Sequence, residues 1–205
     1  MDKIDRIFYI NLSHRKDRYE QINSEFNKMN FDSSKIERFE AVYIPQLPCL
    51  GCTKSHLNVI KLARERNYKN IMIFEDDFQF IVEEDIFKNN IKSFFDKNLD
   101  FKAVMFSYLY DSKNIYDDLL STSNTCRTAS GYIVNSKYFD ELILCLQYGS
   151  IMLEKTGEHW NYINDQIWKT IQGDKWFIFN KRMGIQRESY SDLANMVINY
   201  NEIEK

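Results

Sequence analysis

The chain has 205 residues, enough for one domain with a substantial core or two small ones at most, and 44% hydrophobic against 28% charged residues is ordinary globular composition. Lys+Arg 27 against Asp+Glu 30 leaves a formal net charge of −3 without any basic block, which argues against a nucleic-acid partner. Two Pro and six Gly exclude collagen-like repeats and long linkers.

No apolar run approaches the roughly 20 residues of a membrane helix, so no integral membrane segment is expected. The segment 1–6 lacks the apolar core of a signal peptide, and a soluble, cytoplasmic protein is expected. Cysteines at 49, 52, 126 and 145 are too sparse for a disulfide framework, so reduced thiols are the default. Aromatic residues reach 15%, which predicts a core and pockets built largely from rings.

In chain order, residues 6–12 contain Ile7-Phe8-Tyr9-Ile10, a short buried strand. A polar turn follows, and Tyr19, Ile22, Phe26 and Met29 mark one face of a helix. Residues 36–42 suit a second strand. Pro45 and Pro48 break the chain before a helix over 53–66, with His56, Val59, Ile60 and Ala63 on one face. Ile71-Met72-Ile73-Phe74 is a continuous apolar run, as in a strand covered on both faces. A weaker helix spans 86–95, a strand 101–108, and a polar surface loop with a short helix 111–125. A small strand at 131–134, a helix at 137–146, a further helix at 159–171 and a last strand at 176–179 complete the pattern. After Met183 the chain reads as irregular. Strands separated by helices predict an α/β fold, a mainly parallel, helix-covered sheet in one domain over 1–205.

The most informative segment is the end of the apolar run 71–74, where Glu75-Asp76-Asp77 follows Phe74 directly. Three adjacent carboxylates repel one another and must be hydrated, hydrogen-bonded or shared with a cation. At the carboxyl end of a strand in an open α/β sheet, where ligands bind, they form a seat for a hard divalent ion. Strand alternation would send Glu75 and Asp77 to one side and Asp76 to the other. A solvated acidic turn is the bland alternative.

In a parallel sheet, the turn after the first strand, His14-Arg15-Lys16-Asp17-Arg18, opens at the same edge. Guanidinium and backbone N–H groups there suit phosphate oxygens, while the carboxylates hold a cation. The alternative is a charged helical turn with Asp17 and Arg18 in surface pairs. Cys49-Leu50-Gly51-Cys52 spells a CxxC before a helix, a pattern compatible with a low-pKa redox thiol or half of a zinc site with His56. His56 alone reads equally as a satisfied core residue. No glycine-rich phosphate loop and no GxSxG is present.

Taken in order, Ile10-Asn11-Leu12 with Arg15 and Asp17-Arg18, Phe39 with Ala41, Gly51-Cys52 with Ser55-His56, and Glu75-Asp76-Asp77 resemble glycosyltransferase family 25. That family includes bacterial lipooligosaccharide and collagen hydroxylysine galactosyltransferases. The run 131–136, Asp165, Gln186 and Ser191-Asp192 extend the resemblance over nearly the whole chain. It implies a GT-A type, Rossmann-like fold and an inverting transfer from a nucleotide sugar, often UDP-galactose. It also implies Mn²⁺ or another divalent ion at Glu75 and Asp77. Donor binding would fall to Asn11, Leu12, Arg15, Arg18, Ser55, His56, Glu75, Asp76 and Gln186.

The expected function is therefore transfer of a hexose from a UDP-sugar to a hydroxyl of a glycan, lipooligosaccharide or hydroxylysine-type protein acceptor. An inverting transfer needs a base on the acceptor side, and Asp165, among Tyr162, Ile163 and Trp168, is the candidate. Its alternative is a residue that merely holds a helix end or a loop. Trp160 and Trp176 are rings that stack on a sugar or pack in the core. The competing functions are a binding protein of the same fold without turnover and a CxxC thiol oxidoreductase.

Overall fold

The computed structural model describes residues 1–191 and 196–198. In chain order the strands and helices begin with β1 (Arg6–Asn11), α1 (Lys16–Lys28), β2 (Ile36–Glu40), α2 (Pro48–Glu65), β3 (Asn70–Glu75), β4 (Phe78–Phe80) and α3 (Glu84–Asp96). They continue with β5 (Ala103–Met105), β6 (Asn114–Ile115), β7 (Leu120–Thr122), β8 (Gly131–Asn135), α4 (Phe139–Thr156), α5 (His159–Tyr162) and α6 (Asn164–Ile167). The last elements are β9 (Trp176–Phe179), β10 (Gly184–Gln186), β11 (Ser189–Ser191) and β12 (Met196–Ile198).

An eight-stranded mixed sheet in the order β2-β1-β3-β8-β5-β9-β7-β6 forms the centre of the fold. β1 pairs in parallel with β2 and β3, and β5 with β9, while β8 runs against both β3 and β5. Helices cover both faces, which is why the central strands are apolar at every position. Phe8, Ile10, Ile71 and Ile73 pack with α2, α4 and α6 residues such as Val59, Leu142 and Ile167. The intervening Ile7, Tyr9, Met72 and Phe74 pack with Ile22 and Phe26 of α1 and Phe87 and Ile91 of α3. No helix among the described residues is long and apolar enough to cross a membrane.

Several sequence expectations shift. The helix over 53–66 begins earlier, with Pro48 at its first turn, where a missing N–H costs nothing. The strand expected over 101–108 narrows to Ala103–Met105. The loop 111–125 carries the β6–β7 hairpin rather than a helix, stitched by Thr125 Oγ1 accepting from the Asp111 and Ser112 N–H groups. The helix over 159–171 breaks at Ile163, whose φ −62 and ψ 154 are extended, into α5, α6 and a 3₁₀ turn. The segment after Met183 is not irregular throughout, because β10 pairs with β4 and β11 with β12.

Two glycines permit close approaches that shape the cleft described below. A Cβ at Gly51 would lie 2.5 Å from the Val42 carbonyl oxygen, so only glycine lets α2 slide under the chain leaving β2. A Cβ at Gly184 would run into the Phe78 ring, which fills the space between β10 and the sheet. Gly184→Ala is therefore expected to destabilise the protein by about 1–3 kcal/mol through overpacking, read as a lower urea midpoint with an unchanged slope.

Candidate active site

The chain ends of β1, β2 and β3 and the beginning of β8 meet at one sheet edge, over a cavity of about 720 Å³. That size lies within the range of small-molecule sites. Its lining includes Leu12, Arg15, Arg18, Ser55, His56, Glu75, Asp76, Asp77, Asp165 and Gln186. Asn11 lies behind this surface, at 1% exposure, and fixes Asp76 from below.

Each carboxylate of the triplet has its own surroundings. Glu75 closes β3, and its Oε1 accepts from His56 Nε2 at 2.9 Å and from the Cys52 thiol at 3.6 Å. Its Oε2 faces the Gln186 amide at 3.4 Å. Asp76 is buried, with Oδ2 accepting from Asn11 Nδ2 at 2.7 Å and Oδ1 from Arg18 Nη1 at 2.9 Å. Asp77 Oδ2 stands 3.4 Å from the same guanidinium nitrogen, and Oδ1 is buried without a hydrogen-bond partner among the described residues. The strand ends at Glu75, so the expected alternation stops there, and Asp76 and Asp77 converge on Arg18 instead of pointing apart.

Burial pushes the Asp77 carboxyl up to about 7; Arg18 opposes that shift, and the charges of Glu75 and Asp76 add to it. Burial also raises Asp76, against the pull of Arg18 and Asn11. Asp77, which lines the cavity beside two further acids and keeps an oxygen with no donor among the described residues, is a fitting place for a hard cation. Glu75 and Asp77 are the residues that would hold it.

The basic turn divides: Asp17 sits in a surface pair, as the plainer reading has it, whereas Arg18 does not. Arg15 grips Asp17 through two bonds, Nε–Oδ1 at 3.0 Å and Nη2–Oδ2 at 2.9 Å, and holds that acid down at about 2. Arg18 turns inward to the triplet and to the Tyr190 carbonyl at 2.9 Å. Ser55 ties α2 to the chain after β2: its hydroxyl donates to Gly51 O at 2.7 Å and accepts from Val42 N at 2.8 Å.

His56 links Glu75 to Tyr132 of β8. The Tyr132 hydroxyl lies 2.7 Å from Nδ1, and Nε2 lies 2.9 Å from Glu75. With the tyrosine O–H donating to Nδ1 and Nε2–H donating onward, the chain of bonds points a proton at the Glu75 carboxylate. Tyr132 lies within the run 131–136 quoted above, but no spacing rule pairs it with His56. His56→Phe is expected to keep the fold and release Glu75, raising the KM for any ligand bound there while circular dichroism stays unchanged.

Asp165 sits in the first turn of α6, with Oδ2 accepting from the Thr128 N–H at 3.1 Å. Burial raises its pKa, the Thr128 bond opposes this, and the charge of Glu75 adds to the rise. Thr128 has φ +78, a left-handed conformation rare for a β-branched residue, and this strain aims its N–H at Asp165. Sequence reasoning missed Thr128, since nothing in the pattern marks a positive φ at threonine.

The two cysteines of the CxxC, Cys49 and Cys52, are not bonded to each other. Both cysteines are free, Cys49 packing with Leu50 and Leu153, and Cys52 facing the cavity. Burial and the charges of Glu75, Asp165 and Asp77 push the Cys52 thiol well above its usual range, the reverse of an activated thiolate. Iodoacetamide is therefore expected to label Cys52 far more slowly than a free thiol at pH 8, until denaturant is added. The ligand atoms of Cys52, His56 and Glu75 lie within 4.8 Å of one another, a cluster able to ligate a metal that Cys49 does not join. Asp192 lies outside the described residues.

No protein-family model matches the chain. Among solved structures, mannose-1-phosphate geranyltransferase from Thermus thermophilus superposes with a TM-score of 0.50 at 5% identity, over 93% of this chain and 76% of that one. A glycosyltransferase involved in glycosylation of the major capsid of PBCV-1 gives 0.48 at 8% identity, over 84% and 80%. A197 from STIV gives 0.49 at 10% identity, over 91% and 95%. The likeness to the geranyltransferase is one of fold: a GT-A-like α/β architecture with a large, mostly parallel mixed sheet between helices.

Proposed function

We propose that the protein is a metal-dependent inverting glycosyltransferase of the family 25 type, acting on a UDP-hexose as a single domain. The observation that carries this reading is the convergence, in one cavity, of the acidic triplet, the Arg15–Arg18 turn and the partly buried Asp165. Glu75 and Asp77 would hold a divalent cation, Mn²⁺ or a relative, which when bound would supply positive charge to the leaving diphosphate. Arg15 and Arg18 face the phosphate oxygens. Asp165, with Oδ2 held by Thr128, offers Oδ1 to the acceptor hydroxyl and takes its proton as the glycosidic bond forms.

The test is a donor-hydrolysis screen across UDP-glucose, UDP-galactose and other nucleotide sugars, with and without Mn²⁺. Metal-stimulated hydrolysis of one UDP-hexose is expected; no hydrolysis of any donor, with or without metal, overturns the reading. One observation favours binding without turnover: Arg18 already contacts both Asp76 and Asp77, and so neutralises part of the charge a cation would answer. Tight, metal-independent UDP binding without hydrolysis is the result that this second reading expects.

A further inference from the structure

The chain contains three tryptophans. Trp168 and Trp176 are buried, at 1% and 0% exposure, but Trp160 is 61% exposed. Trp160 is no core residue, and yet it lines the cavity. An exposed ring is ordinary on a protein surface, but one that lines the cavity shared with Asp165 is placed to meet whatever enters there, and covering its indole would be favourable.

The position of Trp160 says what kind of partner. It lies in α5, which leads through the extended Ile163 directly into α6 and Asp165. The same short elbow thus carries an exposed ring and, five residues on, the partly buried carboxylate. The cavity that Trp160 lines is also walled by Tyr43, Ile44, Pro45, His159 and Ile163, and by Asp165 itself, and His159 meets the indole with ring centroids 5.1 Å apart. An uncharged indole offers a diphosphate nothing, whereas Arg15 and Arg18, which line the same cavity, are its natural cationic partners. Tyr43, itself 60% exposed, adds a second ring whose edge meets His14 at 5.0 Å between centroids. A pyranose has one face of C–H groups and a rim of hydroxyls. It covers an aromatic ring with the former and leaves the latter free to approach a base.

Resting on the glycosyltransferase reading, we infer that Trp160 is the platform of an acceptor subsite, and that the acceptor is a glycan whose terminal sugar stacks on the indole. The hydroxyl that reacts then projects from the ring edge toward Asp165. A protein acceptor presenting a lone hydroxylysine side chain would leave the ring uncovered.

Tryptophan fluorescence tests this, because Trp160 is the exposed member of the three. Acrylamide quenching of the native protein is expected to report mainly Trp160, and Trp160→Phe to remove that component. Galactose, glucose, mannose and lactose are added in turn to the protein holding UDP and Mn²⁺, beside a hydroxylysine peptide. At least one sugar is expected to shield the indole and the peptide to leave it quenchable. In transfer assays with that sugar, Trp160→Ala is expected to raise the acceptor KM about tenfold, Trp160→Phe to recover most of it, and the donor KM to stay unchanged. If UDP binds but no sugar shields Trp160, the subsite is overturned and the donor reading stands. Shielding by the peptide alone, or shielding that grows with protein concentration in the absence of sugar, also overturns it, in favour of a peptide acceptor or a second copy. Failure of UDP to bind at all overturns the underlying glycosyltransferase reading instead.

Discussion

Asp165→Asn is expected to cut sugar transfer by about 10²–10⁴-fold, the usual worth of a positioned general base. The amide keeps the size of the carboxylate, and its carbonyl oxygen can still accept from the Thr128 N–H, so the α6 elbow should keep its place. What disappears is the basic oxygen. The raised pKa of Asp165 makes it a better proton acceptor than an ordinary carboxylate. Binding of UDP should stay close to wild type, because the Arg15–Arg18 turn and the triplet are untouched. Steady-state transfer and UDP calorimetry on the same variant separate these effects. Turnover near wild type would remove Asp165 from the base's role, and a parallel loss of UDP affinity would move it into the donor site.

Asp77→Ala is expected to weaken Mn²⁺-dependent UDP binding by at least about 100-fold. One charge-assisted contact is worth about 1.5–3 kcal/mol, and a cation loses more than one such contact's worth when a ligand carboxylate is removed. Calorimetry in Mn²⁺ and in EDTA measures it; equal affinity in both, before and after substitution, would make the triplet structural. The wild type carries a pH signature as well. Burial pushes its native Asp77 carboxyl up to about 7, above the ordinary value of 3.8 that applies to the unfolded chain. Between those values the native state binds the extra proton, so the metal-free protein loses stability as pH rises from about 4 to 7. Cation binding needs the ionised form, so Mn²⁺ affinity should climb with pH through the same upper limit and release a proton. Melting curves with and without Mn²⁺ across that interval are expected to diverge as pH increases.

Much of this architecture was legible in the residues. Continuous apolar runs at 7–10 and 71–74 marked strands covered on both faces, because a two-sided burial leaves no polar alternation. The acidic triplet at the end of the second run reached the sheet edge with the basic turn, as the parallel pairing of β1 and β3 requires. Other features were not legible because they depend on distant contacts. Nothing local told that Arg15 would take Asp17 and release Arg18 to Asp76, 58 residues away. The break at Ile163 was hidden by a helix-like spacing of apolar residues; α2 overrides it, since Thr53 Oγ1 captures the Asn164 N–H at 3.1 Å. Trp160 was indistinguishable by composition from the core tryptophans, and only its place on that broken helix leaves it in solvent.

The reversed direction of β8 makes the sheet a ruler. A strand parallel to β3 would have begun at the opposite edge, carrying the segment 127–130 away from the carboxylates by the length of the strand. Running backward, β8 begins where β3 ends, with Gly131 opposite Phe74 and the Glu75 N–H donating to Ser130 O at 2.8 Å. Thr128, and through it Asp165, is thereby spaced from the triplet by hydrogen-bond register alone. A one-residue slip would displace the anchor by about 3.3 Å and turn every β8 side chain to the other face. The buried alternation of Tyr132 and Ile133 between the two cores forbids that slip. The spacing between the two halves of the cleft is thus protected by the same apolar packing that holds the protein folded.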